Sequence, residues 1–187
     1  MRVVAGSHRG KVLTAPPGHA LRPTADRVRE SVFNILAHGK FGPGGASVLQ
    51  GARVLDAFAG TGAMGIEALS RGASHASFIE SDRTALDALR ANLRAVHEAA
   101  NATVLGADAL SPPRAAEPVT VAFLDPPYRE GLGPKALAAL AAAGWFAPGA
   151  IVTVEVAARE EFTAPPGFEI LDERRYGAAR IVIVRAT

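Results

Sequence analysis

A chain of 187 residues, 49% apolar and 20% charged, is long enough for one domain with a real core and too apolar to be disordered. It holds no cysteine, which excludes disulfides, thiolate metal sites and cysteine nucleophiles. The net charge is only +2, but residues 1–40 carry Arg2, Arg9, Lys11, Arg22, Arg27, Arg29 and Lys40 against Asp26 and Glu30, a bias that suggests a polyanion partner.

The first residues bring early charges and no apolar run, so no signal peptide is expected. Met1 to Ala5 and Lys11 to Thr14 read as two strands of a small hairpin. Pro16, Pro17, Gly18 and Pro23 then break regular structure. Thr24 is the expected N-cap of a helix in which Val28, Val32, Ile35 and Leu36 recur at helical spacing, ending before Gly39. Arg22, Arg27, Arg29, Glu30 and Asn34 stay off that apolar stripe. Gly39 to Gly51, rich in Gly, Pro and Ser, is the expected boundary. The chain therefore divides into a basic extension (1–40), a linker (41–51) and a main domain (52–187).

The main domain alternates. Arg53–Phe58 reads as a strand, Ala63–Arg71 as a helix, Ala76–Glu80 as a strand and Thr84–Ala100 as a long helix. Thr103–Leu105 and Val119–Leu124 follow as strands, Leu132–Ala143 as a helix and Ala150–Val156 as a strand. Strands near Glu169–Arg174 and Ala179–Val184 close the chain as a hairpin across Tyr176-Gly177. Alternating β and α elements imply a mainly parallel sheet covered on both faces. Ligands of such sheets sit at the carboxyl ends of the strands, where strand order reverses. The longest uncharged run, Ala136 to Val154, is broken by Gly144, Pro148 and Gly149, so it reads as helix, turn and buried strand rather than a membrane span. A cytoplasmic protein without a membrane partner is expected.

Gly60, Gly62 and Gly65 form a GxGxxG between the first core strand and its helix. Such glycines allow a tight turn and a close ligand, and the helix N-terminus offers free N–H groups. Glu80 follows Gly60 at the end of the second strand, at the spacing of a carboxylate that accepts ribose hydroxyls. This much suits NAD or S-adenosyl-L-methionine. Three features favour the latter. Asp56 is placed to receive the ammonium of an amino-acid moiety. Asp108, after the third strand, can accept from an adenine amino group. The fourth strand, which should lie beside the first, ends in Asp125-Pro126-Pro127-Tyr128. Two prolines make a stiff exit from the sheet. That exit can hold the Asp125 carboxylate and the Pro126 carbonyl as two acceptors, followed by the flat Tyr128 ring. Two acceptors beside an aromatic surface suit a planar group with an exocyclic NH₂. Phe58 and Met64 are either cofactor contacts or core. His8, His19, His38, His75 and His97 form no ligand spacing, so no metal is expected.

The order Asp56-x-Phe58-x-Gly60-x-Gly62, Ile79-Glu80, Asp108-Ala109 and Asp125-Pro-Pro-Tyr128 resembles the class I methyltransferases that modify exocyclic amino groups. The N-terminal half narrows the likeness. Arg2 to Gly6, Arg9-Gly10-Lys11, Leu21 to Thr24, Asp26 to Glu30 and Phe33-Asn34 closely resemble the bacterial 16S ribosomal RNA guanine-N2 methyltransferase family. Gly65 to Gly72 and Gly144-Trp145-Phe146 resemble it too, so the match spans nearly the whole chain.

The resemblance implies a Rossmann-like α/β fold: seven strands, mainly parallel, helices on both faces, a C-terminal antiparallel hairpin, and a small N-terminal hairpin and helix. It implies methylation of N2 of one guanine in 16S rRNA, free or in a small-subunit assembly intermediate, using S-adenosyl-L-methionine. Nothing in the sequence obliges more than a monomer, so a monomer is expected. Asp125, Pro126 and Tyr128 would be catalytic. Asp56, Phe58, Gly60, Thr61, Gly62, Glu80, Ser81, Asp108 and Ala109 would hold the cofactor. Pro127, Arg9, Lys11, Arg22, Arg27 and Arg29 would meet the RNA. Adenine-N6 and protein-glutamine enzymes share the Asp-Pro-Pro-Tyr type of motif and are the alternative.

Overall fold

The computed structural model describes residues 1–15, 23–38, 40–128 and 131–187. Its centre is a seven-stranded sheet in the order β3-β2-β1-β4-β5-β7-β6. The strands are β1 (Arg53–Ala57), β2 (His75–Glu80), β3 (Ala102–Gly106), β4 (Val119–Leu124), β5 (Phe146–Ala157), β6 (Phe168–Tyr176) and β7 (Ala179–Ala186). The first five run parallel, while β7 lies antiparallel between β5 and β6. The helices are α1 (Pro23–Ala37), α2 (Ala63–Ser70), α3 (Arg83–Ala95) and α4 (Leu132–Ala142).

Alternate strand residues face opposite layers, which divides the core in two. On one face Val54, Phe78, Val121, Phe123, Ile151, Ile181 and Ile183 pack with α1, α2 and α3 through Val28, Val32, Phe33, Leu36, Ile66, Leu69, Leu89 and Leu93. On the other face Leu55, Ala57, Ala122, Leu124, Val152, Val154, Val182 and Val184 meet Leu137 and Leu140 of α4, with Trp145. The mainly parallel sheet, the helices on both faces and the C-terminal hairpin agree with the sequence. So does the neighbouring of β4 and β1.

Four expectations need correction. Helix α1 begins at Pro23, so Thr24 lies inside its first turn rather than capping it. Proline suits that first position because its missing N–H would have no helical partner there. Helix α3 stops at Ala95, not Ala100. Its end is a Schellman arrangement: Glu98 N–H donates to the Leu93 carbonyl at 3.0 Å, His97 N–H donates to that of Arg94 at 3.1 Å, and His97 takes φ +61°. The usual glycine marker is absent there. Strand β5 begins at Phe146 rather than Ala150, because an irregularity near Val119 and Val121 lets Pro148 and Gly149 sit within a strand. The N-terminal hairpin is reduced to one antiparallel bridge between Arg2 and Val12.

That short N-terminal ribbon is nonetheless firmly attached. Val3 and Leu13 are buried in the same layer as α1. Glu67 of α2, only 1% exposed, accepts the backbone N–H groups of Val4 at 2.8 Å and Ala5 at 3.0 Å. It also takes Arg71 Nε at 2.8 Å, and the Arg71 guanidinium lies 4.9 Å from the centre of the Phe33 ring of α1. Buried Asn92 of α3 accepts from Thr14 N–H and donates to the carbonyls of Thr14 and Thr61. The ribbon is thus tied to α2, α3 and the glycine loop by side chains whose polar atoms have nowhere else to bond. Pro16, Pro17, Gly18, Arg22 and Gly39 lie outside the described residues.

Candidate functional site

Strand order reverses between β1 and β4, which leaves a crevice at their carboxyl ends. The register puts Asp56 opposite Phe123, and Phe123 opposite Thr153. Counting in twos along each strand keeps to one face. Asp56, Phe123 and Asp125, and Thr153 and Glu155 therefore all look toward α1, and Phe58 joins them from the turn that follows β1. Together with Val28, Arg29 and Val32 of α1, they line a cavity of about 200 Å³. Gly60, Thr61 and Met64 complete one wall and Met1 another.

Phe58, the residue after β1, takes a left-handed conformation, φ +62°, which is uncommon for an aromatic residue. This turns the chain into the glycine loop. Gly60 follows at φ +53°, and the space a Cβ would fill there is open. The other two glycines serve the core behind the loop. A Cβ on Gly62 would sit 2.2 Å from Leu89 Cδ1, and one on Gly65 2.3 Å from Phe78 Cε1. The motif thus combines one glycine open to a ligand with two that permit close packing.

Asp56 is 2% exposed, and its Oδ2 accepts the Gly65 N–H at 2.9 Å. Burial pushes its carboxyl up to about 8, the Gly65 bond works against this, and the nearby charges of Asp125 and Glu80 add to it. A buried acid of this kind is a receptor for a cation. An ammonium beside it would restore the carboxylate and expel a proton. Binding of an ammonium ligand at about pH 6.5 should therefore release a proton, and its affinity should rise with pH up to about 8. Calorimetry in buffers of different ionisation enthalpy measures this, and Asp56→Asn should abolish the release. The sign for stability is opposite. A folded-state value raised from 3.8 to about 8 means stability from this group is full below 3.8 and is lost as pH rises through 8. Asp56→Asn should flatten that decline.

The cavity brings together Asp56, Phe58, Gly60, Thr61, Asp125 and the Met64 side chain. Glu80, Ser81, Asp108 and Ala109 lie outside its lining, Glu80 as the last residue of β2, Ser81 just after it, and Asp108 and Ala109 beyond the end of β3. Glu80 Oε2 accepts Gly60 N–H at 2.7 Å, while Oε1 accepts those of Ser81 and Asp82, each at 2.8 Å. Its carboxylate therefore joins the glycine loop to the segment that leads into α3. Exposed Asp108 accepts the Leu110 N–H at 2.9 Å, and Ala109 is buried. In the Asp-Pro-Pro-Tyr segment Pro126 is buried, whereas Asp125, Pro127 and Tyr128 are exposed. Tyr128 donates its hydroxyl to Glu155 Oε1 at 2.5 Å, which ties the ring to β5.

The basic residues separate. Arg9, Lys11 and Arg27 are exposed. Arg29 is 5% exposed: its Nη1 lies 3.1 Å from Asp26, its Nη2 donates to the Arg2 carbonyl at 2.7 Å, and it forms part of the cavity wall. Sequence reasoning missed Thr153 and Glu155. The signal for Glu155 was a lone charge in the apolar run of β5. Among the described residues, no group of three or more His, Cys, Asp or Glu is placed to hold a metal, and no helix is long and apolar enough to cross a membrane.

The chemistry of this lining fits the methionine end of S-adenosylmethionine. It offers a buried acid for the ammonium, an open glycine backbone, and apolar Phe58 and Met64. With the strand order and the glycine loop, these features define a Rossmann-like methyltransferase. Comparison with solved structures agrees. "Putative methyltransferase yhhF from Escherichia coli" superposes with a TM-score of 0.84 at 37% identity, over 100% of this chain and 97% of that one. The magnesium protoporphyrin IX methyltransferase of Synechocystis PCC 6803, solved with bound SAM, shares the fold at 16% identity, with a TM-score of 0.64 over 88% of this chain and 80% of that one. The profile of the family described as Conserved hypothetical protein 95 matches residues 1–185, and the chain belongs to that family. The Ribosomal RNA small subunit methyltransferase D of Escherichia coli K12 is 42% identical over 156 residues, 83% of this chain and 74% of that one. The resemblance carried by the N-terminal arginine block and the Asp-Pro-Pro-Tyr segment is thereby borne out.

Proposed function

We propose that the protein transfers a methyl group from S-adenosyl-L-methionine to the exocyclic N2 of one guanine in small-subunit ribosomal RNA. The observation that carries this reading is Asp125-Pro126-Pro127-Tyr128 at the end of β4, with Asp125 sharing a cavity with the buried acid Asp56. The name of the Escherichia coli relative supports the RNA target. When bound, S-adenosylmethionine supplies a methyl group on a positively charged sulfur. Asp56 would hold its ammonium, and Gly60 and Thr61 would lie along it. Glu80, Ser81, Asp108 and Ala109 would hold the adenosine end.

Guanine N2 is a poor nucleophile because its lone pair is delocalised into the ring. Asp125 and the Pro126 carbonyl accept its two hydrogens, which orients the lone pair and stabilises the charge that grows on nitrogen. The proton lost from N2 passes to Asp125 or to water. Tyr128 stacks on the base, with Pro127 beside it, once the base has left its helix or loop stack. Arg9, Lys11, Arg22 and Arg27 hold phosphates, and Arg29 orders the wall behind them. The protein acts as a monomer in the cytoplasm, on free rRNA or on a small-subunit assembly intermediate.

The test is tritiated methyl transfer from S-adenosylmethionine to naked 16S rRNA, unmodified small subunits and duplex DNA in parallel, followed by nucleoside digestion. N2-methylguanosine from rRNA or subunits supports the reading. N6-methyladenine would replace the target, and label in a protein fraction would move the substrate to glutamine. Substituting Arg9, Lys11 and Arg27 together should weaken RNA binding and reduce the salt slope by about 2, at roughly 0.7 per single-strand phosphate contact. An unchanged slope in filter binding would place the RNA surface elsewhere.

A further inference from the structure

The cavity holds a third acid for which the proposed chemistry has no task. Glu155 is one residue past Val154, which pairs with Leu124, and Asp125 is one residue past Leu124. The two acids thus lie side by side on the same face of neighbouring parallel strands, Asp125 just past the end of β4 and Glu155 near the end of β5, and both residues line the cavity. Neighbouring strands lie about 4.8 Å apart, so the two acids can meet donors on adjacent positions of one ring. Glu155 is also held in place. Its Oε1 takes the Tyr128 hydroxyl at 2.5 Å, and its Oε2 is a second acceptor on the same fixed group.

Guanine presents its N2 amino group next to N1, and N1 carries a hydrogen. Adenine presents its amino group next to an N1 that is a bare acceptor. A fixed carboxylate beside the amino-group receptor therefore attracts one base and repels the other. We infer that Glu155 accepts the guanine N1–H through Oε2 and so sets the choice of guanine over bases with an unprotonated N1. This rests on the guanine-N2 reading above. The same bond draws N1–H toward the carboxylate, pushes electron density into the ring and raises the nucleophilicity of N2. It also gives the contact between Tyr128 and Glu155 a purpose: one side chain reads the face of the base and steadies the group that reads its edge.

The discriminating substrate is 2-aminopurine, which keeps the 2-amino group and has a bare N1. An rRNA fragment whose labelled guanosine has been located is made with guanosine or 2-aminopurine riboside at that position. Wild type should methylate guanosine and reject 2-aminopurine. Glu155→Gln keeps a carbonyl oxygen for the Tyr128 hydroxyl and turns an N–H toward the base. It should shift the ratio of kcat/KM values toward 2-aminopurine by about 10²-fold. Binding gives a second readout. With S-adenosylhomocysteine present, Glu155→Gln should bind the 2-aminopurine fragment more tightly than wild type does, followed by the base's own fluorescence. Glu155→Ala should lose guanosine turnover without gaining 2-aminopurine.

Equal losses on both substrates in Glu155→Gln would overturn the inference, leaving Glu155 as a tether for Tyr128. A shift in preference reproduced by Tyr128→Phe would overturn it too. N2-methylguanosine from wild type with no shift in Glu155→Gln sinks this inference alone. A different labelled nucleoside from wild type sinks the proposed function with it.

Discussion

Asp125→Ala is expected to lower methyl transfer about 10³-fold, the effect of removing one group aimed at developing charge, with cofactor affinity kept within about twofold. Asp125 sits past the end of β4 on the cavity face, two residues beyond Phe123, which packs 5.2 Å from Phe33 of α1. That packing does not involve the Asp125 carboxylate, so the scaffold should survive its removal. The cofactor's ammonium is assigned to Asp56, one strand away. Asp125→Asn separates two roles. An amide keeps one acceptor oxygen, so partial activity would point to orientation of N2 as the main task. Activity as low as in Asp125→Ala would point to proton acceptance. Single-turnover transfer and calorimetry with S-adenosylhomocysteine provide the two readouts. Full turnover in Asp125→Ala would remove this residue from the mechanism.

Glu67→Ala should cost about 3–5 kcal/mol of folding stability, the range for removing one partner of a buried ion pair. Domains of this size are stable by about 5–15 kcal/mol, so the loss is a large share. Glu67 is 1% exposed and Arg71 is largely buried beside it, and two backbone N–H groups point at the same carboxylate. Alanine would leave a cation and two amides without acceptors in a place water reaches poorly. Urea denaturation should show a lower midpoint. Hydrogen exchange should show the amides of Val4 and Ala5 losing protection first. A surface glutamate exchanged in the same way changes stability by under about 1 kcal/mol, so a small effect at Glu67 would contradict the burial described here.

Local pattern carried much of this fold. The alternation of elements made the parallel sheet readable, and the position of Asp125-Pro-Pro-Tyr128 after an apolar run put it at a strand end. Other features depend on contacts between distant segments. Arg29 lies off the apolar stripe of α1 by helical spacing, yet the Arg2 carbonyl and Asp26 engage it in a buried position. Glu155 joins the site only because β5 pairs with β4 in one particular register. The end of α3 was misplaced because histidine, not glycine, takes the left-handed position at 97. Glu67 has its buried partners only because the N-terminal ribbon packs against α2.

The glycine loop has a consequence for how such a chain can diverge. Gly65 is shaped by the Phe78 ring on β2, which is fully buried. Gly62 is shaped in the same way by Leu89 of α3. A mutation that enlarges the core at 78 or 89 therefore reaches the glycine loop from behind, and one that adds a side chain at 62 or 65 reaches the core. Each pair is free to drift only in compensated steps, small for large. Ancestry at this loop is accordingly constrained by the volume of hydrophobic residues that carry no chemistry at all.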